Sequence, residues 1–120
     1  MTVRRLAVVL AALATAVGFT ASSVLGAPAQ AQSTTVKVTA FDLGFKLSTK
    51  RAKAGKVTFK VTNTGSLKHD FWIAGKKTPL LGKNKSASIT VTLKKGKKYT
   101  YICTVPGHAA AGMKGSFKAT

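Results

Sequence analysis

In several runs between Val57 and the C-terminus, apolar and polar side chains alternate with a period of two. Four runs share this pattern, and in each run the apolar side chains fall on one face: Val57, Phe59 and Val61; Ala87, Ile89, Val91 and Leu93; Tyr99, Tyr101 and Cys103; Met113, Gly115, Phe117 and Ala119. A period of two is typical of strands that bury one face. No stretch after residue 31 shows a convincing helical period, so the sequence predicts an all-β fold.

The stretch before these runs changes the parity of its apolar positions. Its first apolar residues are even-numbered and its later ones are odd-numbered: Val36, Val38 and Ala40, then Phe41, Leu43, Phe45 and Leu47. Such a change predicts a β-bulge or a strand bend near Ala40–Phe41. Turn residues, for example Asn63-Thr64-Gly65 and Lys95-Gly96-Lys97, separate the later runs. Seven or eight short strands at this spacing predict an antiparallel β-sandwich.

Residues 1–31 have the composition of a secretory signal. Arg4 and Arg5 precede an apolar run from Leu6 to Val17, and Ala29-Gln30-Ala31 offers the small residues that signal peptidase accepts. The alternative is a retained anchor, since Leu6 to Gly26 is long enough to cross a bilayer. We therefore expect a signal at 1–31, one domain at 32–120, and export to the periplasm, the cell surface or the extracellular medium.

The charge balance excludes several kinds of site. The chain has 20 Lys and Arg residues but only 2 acidic ones, Asp42 and Asp70, and its formal charge is +18. Two acidic residues are too few for a carboxylate-caged calcium site. The two histidines and one cysteine of the chain are too few for a four-ligand Cys/His zinc finger or an iron–sulfur cluster. The positive charge predicts attraction to an acidic partner or an anionic envelope surface, with solubility and edge protection as the alternative. Nucleic acid is not expected as a partner, because an exported chain seldom meets it.

The residues that carry chemistry lie in one loop near the C-terminus. The segment from Cys103 to Met113 has the spacing Cys-x4-His-x4-Met, with His108 in the middle, and Pro106-Gly107 favours a turn between the ligands. A second imidazole comes from His69. Two imidazoles and a thiolate in a trigonal plane, with a long axial thioether, make a blue-copper site. Zinc sites rarely recruit methionine, so the sulfur pair favours copper.

This pattern resembles the cupredoxins, the small blue-copper proteins, over about Thr35 to Thr120. The wording Cys-Thr-Val-Pro-Gly-His is most similar to the rusticyanin and auracyanin branch, while plastocyanin has a shorter loop. The resemblance implies an eight-stranded Greek-key sandwich holding one copper ion. It also implies that His69, Cys103 and His108 are the equatorial ligands and Met113 the axial one.

One position departs from the family pattern. The family usually has Asn after the first histidine, where its side chain ties the two ligand loops together, and this chain has Asp70. The carboxylate can still accept a hydrogen bond from the hydroxyl or the backbone of Thr104. A negative charge near copper should favour Cu(II), so we expect Asp70 to lower the reduction potential.

The missing residues restrict the function. No histidines remain for the catalytic copper of an oxidase or nitrite reductase, and four protein ligands leave no open position for a substrate. We therefore expect a monomeric electron carrier rather than an enzyme. The resemblance implies that a redox partner, which we expect to be acidic, docks near the His108 ring edge. Two alternatives stay open, namely a copper-binding protein for sequestration or delivery, and a metal-free β-sandwich that adheres to polyanions.

Overall fold

The computed structural model describes residues 16, 18 and 33–120. Almost all of the predicted signal therefore lies outside the described residues. The described part forms nine strands, β1 to β9: Thr34–Phe41, Gly44–Leu47, Arg51–Ala52, Gly55–Asn63, Trp72–Ile73, Lys76–Lys77, Ser86–Leu93, Lys98–Ile102 and Lys114–Ala119. None of the described residues belongs to a helix long and apolar enough to cross a membrane.

The strands form two sheets. One has the order β2-β1-β4-β7 and the other the order β3-β9-β8-β5-β6. The all-β sandwich is thus confirmed and most strand pairs are antiparallel as predicted, but both sheets are mixed. β1 pairs with β4 and β3 pairs with β9 in parallel. The chain visits the second sheet at β3 before it returns at β4, so β4 runs in the same direction as β1.

The alternating residues build the core between the sheets. Val57, Phe59 and Val61 are buried, while the intervening Lys60 is exposed. Phe59 packs edge-on against Phe117 from the other sheet, with ring centroids 5.1 Å apart. Each such fully buried side chain contributes about 1.5–3 kcal/mol of apolar transfer free energy. The predicted inward faces are therefore the faces that hold the sandwich together.

The parity change near residue 40 has a different cause from the one predicted. The chain makes no bulge there. β1 continues to Phe41 and turns back through Asp42 and Leu43, whose φ is 71°. Because the hairpin pairs Ala40 with Phe45 and Val38 with Leu47, even-numbered residues before the turn share a face with odd-numbered residues after it.

The two ends of the sandwich differ in the length of their connections. At one end, here called the loop end, the turn at 42–43 meets the loops 64–71, 78–85 and 103–113. The amide Nδ2 of buried Asn63 donates to the carbonyls of Leu67 and Leu81, both at 2.8 Å, and thereby joins two of these loops. At the opposite end, the lysine end, short segments at 48–56 and 93–98 meet the C-terminal residues 118–120.

Candidate metal centre

The loop end brings together three of the predicted ligands from two separate loops. His69 is held by a two-way backbone bridge to Leu81, with N–O distances of 3.1 and 2.8 Å. Cys103 follows β8 and begins the loop 103–113, whose two ends are joined by a backbone hydrogen bond. The N–H of Cys103 donates to the carbonyl of Met113, and the N–H of Met113 donates to the carbonyl of His108, both at 3.0 Å.

The donor atoms of these three residues converge. One nitrogen of each histidine and the Cys103 sulfur all lie within 4.8 Å of one another. Nδ1 of His69 is 3.1 Å from Nδ1 of His108, and Sγ of Cys103 is 3.6 Å from the same His108 nitrogen. An ion bound in a plane at about 2.0 Å from nitrogen and about 2.3 Å from sulfur needs separations of about 3.5 and 3.7 Å. The three donors therefore fit one ion with little movement.

Met113 lies where an axial thioether is expected. Its side chain is completely buried, in a cluster with Ala40 and Cys103 that half-buried Phe45 and Val105 cover. Burial beside the thiol is compatible with a long sulfur–metal contact, although core packing alone would also bury a methionine. The assignment of His69, Cys103, His108 and Met113 as ligands stays a prediction.

Asp42 contacts one of the predicted ligands and was not identified from the sequence. Its Oδ1 lies 3.0 Å from Nε2 of His69. Because an ionised carboxylate only accepts hydrogen bonds, Nε2 carries the ring proton and the lone pair of Nδ1 is free for a metal. The only available signal was rarity, since Asp42 is one of two acids in the chain. Nothing in its neighbours along the sequence points to a histidine 27 residues away.

Asp42 also fastens the loop that carries His69. Its carboxylate accepts hydrogen bonds from the backbone N–H groups of Ser66 at 2.9 Å and Leu67 at 3.0 Å. These N–H groups, followed by the His69 contact, hold the pKa of Asp42 below its usual value. A Cβ atom at position 65 would collide with Oδ1 of Asp42 and lie 2.9 Å from the backbone nitrogen of Asp42. Glycine at position 65 therefore permits the carboxylate to reach His69.

The predicted tie through Asp70 is confirmed. Its Oδ1 accepts the backbone N–H of Thr104 at 2.6 Å, and its Oδ2 accepts the Thr104 hydroxyl. Asp70 follows His69 and Thr104 follows Cys103, so this pair of bonds joins the two ligand loops directly. A carboxylate at this position therefore performs the tie that the resemblance assigns to an amide.

The thiol is protected by burial. Cys103 is 1% exposed, and burial is the main cause that raises the pKa of its side chain. A buried thiol keeps its proton in the absence of metal, whereas a metal-bound cysteine is a thiolate. Metal binding at this site therefore releases a proton, and the affinity for the metal should increase with pH.

The donor set discriminates between metals. One thiolate, two imidazoles and a thioether are soft or intermediate ligands, which suit copper and do not suit calcium or magnesium. Among the described residues, His69, Cys103 and His108 form the one group of three His, Cys, Asp or Glu side chains close enough to hold an ion. The donor atoms of the site thus favour copper without any comparison with other proteins.

Comparisons with known proteins agree with this chemistry. The sequence matches the family model of copper-binding proteins of the plastocyanin/azurin family over residues 29–119. A search of curated proteins finds no significant match. Solved structures that resemble the fold include an auracyanin from the photosynthetic bacterium Roseiflexus castenholzii, with a TM-score of 0.62 and 23% identity over 72% of this chain and 97% of that chain.

Two further structures show the same fold. Auracyanin A from Chloroflexus aurantiacus, described as a "blue" copper protein, has a TM-score of 0.61 and 21% identity over 74% of this chain and 100% of that chain. An azurin from Methylomonas sp. strain J has a TM-score of 0.59 and 19% identity over 72% of this chain and 98% of that chain. Since the family model spans most of the sequence and the donor atoms converge in the fold, we conclude that this chain belongs to the plastocyanin/azurin family of copper-binding proteins and that its cofactor is one copper ion.

Proposed function

We propose that this protein is an exported carrier of single electrons, which its copper ion takes up and releases by cycling between Cu(II) and Cu(I). The observation that supports this most directly is the convergence of three donor atoms, each within 4.8 Å of the others, on a buried and hydrogen-bonded frame. A frame that already has the bound geometry changes little between oxidation states. A small change in geometry favours rapid electron transfer, with the protein tuning the potential.

The protein itself supplies position and protection. Asp42 orients the ring of His69, and Asp70 with Thr104 fixes the distance between the ligand loops. Burial of Cys103 and Met113 keeps water from the sulfur atoms. We propose that His69, Cys103, His108 and Met113 all bind the ion. Four protein ligands leave no position for a substrate, so we propose that the protein is not an enzyme.

A redox partner would dock at the loop end, beside His108. The His108 side chain is half-buried, and Pro106, Ala110 and Ala111 around it are exposed. Large apolar side chains extend this surface: Leu43 from the hairpin turn, Leu67 from the loop that Asp42 fastens, and Leu80 beside the bridge to His69. Apolar patches that are exposed in this way commonly mark interaction sites. An acidic rim on the partner would suit Lys68 and Lys83, which flank the patch.

Export of the protein is supported by its sequence. Arg4, Arg5, the apolar run from Leu6 to Val17 and the cleavage motif ending at Ala31 make up a signal, and this leads to a periplasmic, cell-surface or extracellular location. A monomer that does not bind nucleic acid remains our expectation.

The second candidate function is copper sequestration or delivery. It is favoured by the partial exposure of His108, which gives a chelator or an acceptor protein access to one ligand. Copper release distinguishes the two functions. A carrier of electrons should retain Cu(I) against a chelator while it exchanges electrons quickly, whereas a delivery protein should release Cu(I) quickly and exchange electrons slowly.

The proposal is tested by titrating the protein with Cu(II) and recording the visible spectrum. We expect an intense thiolate-to-copper band at one equivalent, which Cys103→Ser should abolish. Thr100→Ser changes an exposed residue of β8, the strand that Cys103 follows, and should leave the band intact. Electron self-exchange is then measured on the coloured protein. A colourless wild type, or a coloured protein with slow self-exchange and rapid copper loss, would contradict the electron-carrier proposal.

A further inference from the structure

Nine positively charged side chains crowd the lysine end of the sandwich. They come from three segments that backbone hydrogen bonds hold together: Lys118 N–H donates to the Lys50 carbonyl at 2.9 Å, and Ala119 N–H donates to the Lys97 carbonyl at 3.0 Å. All nine side chains are exposed, and they are Lys50, Arg51, Lys53, Lys56, Lys94, Lys95, Lys97, Lys98 and Lys118. No acidic side chain lies in these segments, because Asp42 and Asp70 are both at the loop end.

The lysine end is also poor in exposed apolar groups. Among the described residues, the large apolar side chains with high exposure are Phe41, Leu43, Leu67 and Leu80. All four lie in or beside the connections of the loop end. The described part of the lysine end can therefore attract an anionic surface by charge but has no large, highly exposed apolar side chain to insert into a bilayer.

The N-terminal segment joins the domain at this same end. β1 starts at Thr34, which pairs with Val57 beside Lys56, and it runs from there to Phe41 at the loop end. The chain before β1 contains the apolar run from Leu6 to Val17. Before any cleavage after Ala31, the lysine end is therefore the part of the domain that adjoins the membrane-directed segment.

A groove of about 510 Å³ opens beside the cluster of lysines. Lys94, Lys97 and Lys98 line it together with the half-buried rings of Trp72 and Tyr99. The ammonium of Lys97 lies 5.3 Å from the centre of the Tyr99 ring. Aromatic rings with a polar edge are common where proteins meet the headgroup region, and three ammonium groups suit a phosphate.

From these four observations we infer that the lysine end binds the anionic phospholipid headgroups of a membrane surface and thereby holds the loop end toward the solvent. Each Lys or Arg close to an anionic membrane strengthens binding about fivefold, so several together can retain a domain without insertion. The attraction acts over about 10 Å at 0.1 M salt, and should weaken strongly as salt is added. This inference does not depend on electron transfer, because it concerns the end of the molecule opposite to the metal.

The test uses residues 32–120, which contain all the described strands and both buried clusters. The copper-loaded domain is sedimented with phosphatidylcholine vesicles that contain either no phosphatidylglycerol or about a third. One variant, Lys53→Gln/Lys56→Gln/Lys95→Gln, removes three charges at the lysine end. Its control, Lys37→Gln/Lys46→Gln/Lys60→Gln, removes three charges from the outer face of the first sheet, where Lys37 pairs with Lys60. Both variants have the same net charge.

We expect binding only to the anionic vesicles, a loss of about a hundredfold in the lysine-end variant and a loss below fivefold in the control. Binding should also fall steeply between about 50 and about 300 mM salt, because the screening length, about 10 Å at 0.1 M, shortens as salt is added. Equal losses in the two variants, equal binding to neutral vesicles, or binding to inorganic polyphosphate but not to vesicles would overturn the inference. Its orientation is checked by reduction of the bound protein with a soluble reductant, whose rate should be unchanged on vesicles; a large decrease would mean that the loop end faces the lipid.

Discussion

The two ends of this sandwich differ in what their properties depend on: specific contacts at the loop end and repeated positive charge at the lysine end. At the loop end, a few specific contacts hold three donor atoms together, and removal of any one contact should be felt at the metal. At the lysine end, nine similar charges repeat one another, and no single one is essential. The comparison shows that one small β-fold can separate a site that depends on geometry from a surface that depends on net charge.

The loop contacts of Asn63 should give the largest effect on stability. Asn63→Ala removes the amide that donates to the Leu67 and Leu81 carbonyls and accepts the N–H of Gly65. Since buried groups left unpaired cost about 1–3 kcal/mol each and do not add fully, we expect a loss of about 3 kcal/mol. Urea unfolding of the metal-free domain measures it. Lys95→Gln at the other end should change stability by less than about 0.5 kcal/mol, and similar losses at both ends would remove the contrast.

Asp42 should give the next largest effect, on copper affinity. Asp42→Asn removes the charge that faces Nε2 of His69, and changes of this kind typically cost about 10–100-fold in metal affinity. The negative charge favours Cu(II) more than Cu(I), so the reduction potential should rise, by about 59 mV for each tenfold difference.

Gly65→Ala provides an independent control for Asp42. It retains the charge but displaces the carboxylate by a steric collision. If orientation of His69 is the role of Asp42, this variant should also lose Cu(II) affinity. A normal affinity in Gly65→Ala together with a raised potential in Asp42→Asn would show that only the charge matters.

Stability should depend on pH through Asp42, which lies at the loop end. The backbone N–H groups of Leu67 and Ser66 lower the pKa of Asp42 in the folded protein. At acidic pH the unfolded protein therefore binds more protons than the folded protein. Asp42 thus contributes to the free energy of unfolding above pH about 4, and this contribution is lost as the pH falls through the folded pKa of Asp42. Urea midpoints of the metal-free domain should decrease between pH 5 and pH 3, and the decrease should be smaller in Asp42→Asn. An equal decrease in that variant would be evidence against this linkage.

Asp70 should give the smallest of these effects. Asp70→Asn preserves one acceptor for Thr104 but removes a charge near the copper. We expect the reduction potential to rise by less than about 59 mV, which corresponds to less than tenfold in the preference for Cu(II). Cyclic voltammetry measures it, and no rise would show that the carboxylate acts only as a tie between the loops.

Much of the site could be predicted because its spacing is local. Cys103, His108 and Met113 lie within one loop, where Pro106-Gly107 favours a turn, and the backbone hydrogen bonds that close this loop join residues no further apart than Cys103 and Met113. The Asp70–Thr104 tie followed from a resemblance to known proteins. The hairpin turn at Asp42–Leu43 was predicted as a bulge or a strand bend because a change of parity looks the same in all three, and only the pairing of Ala40 with Phe45 distinguishes them.

The sequence by itself determined the all-β class, the buried faces of the strands and the copper-binding chemistry, because these depend on alternation and on residue types close together in the chain. The tertiary structure decided the parallel pairing of β1 with β4, the contact of Asp42 with His69, and the gathering of nine positive charges at one end. The physical reason is that a period of two shows which face a side chain occupies. It does not show which distant strand lies beside it, nor which turns meet at the same end of the sandwich.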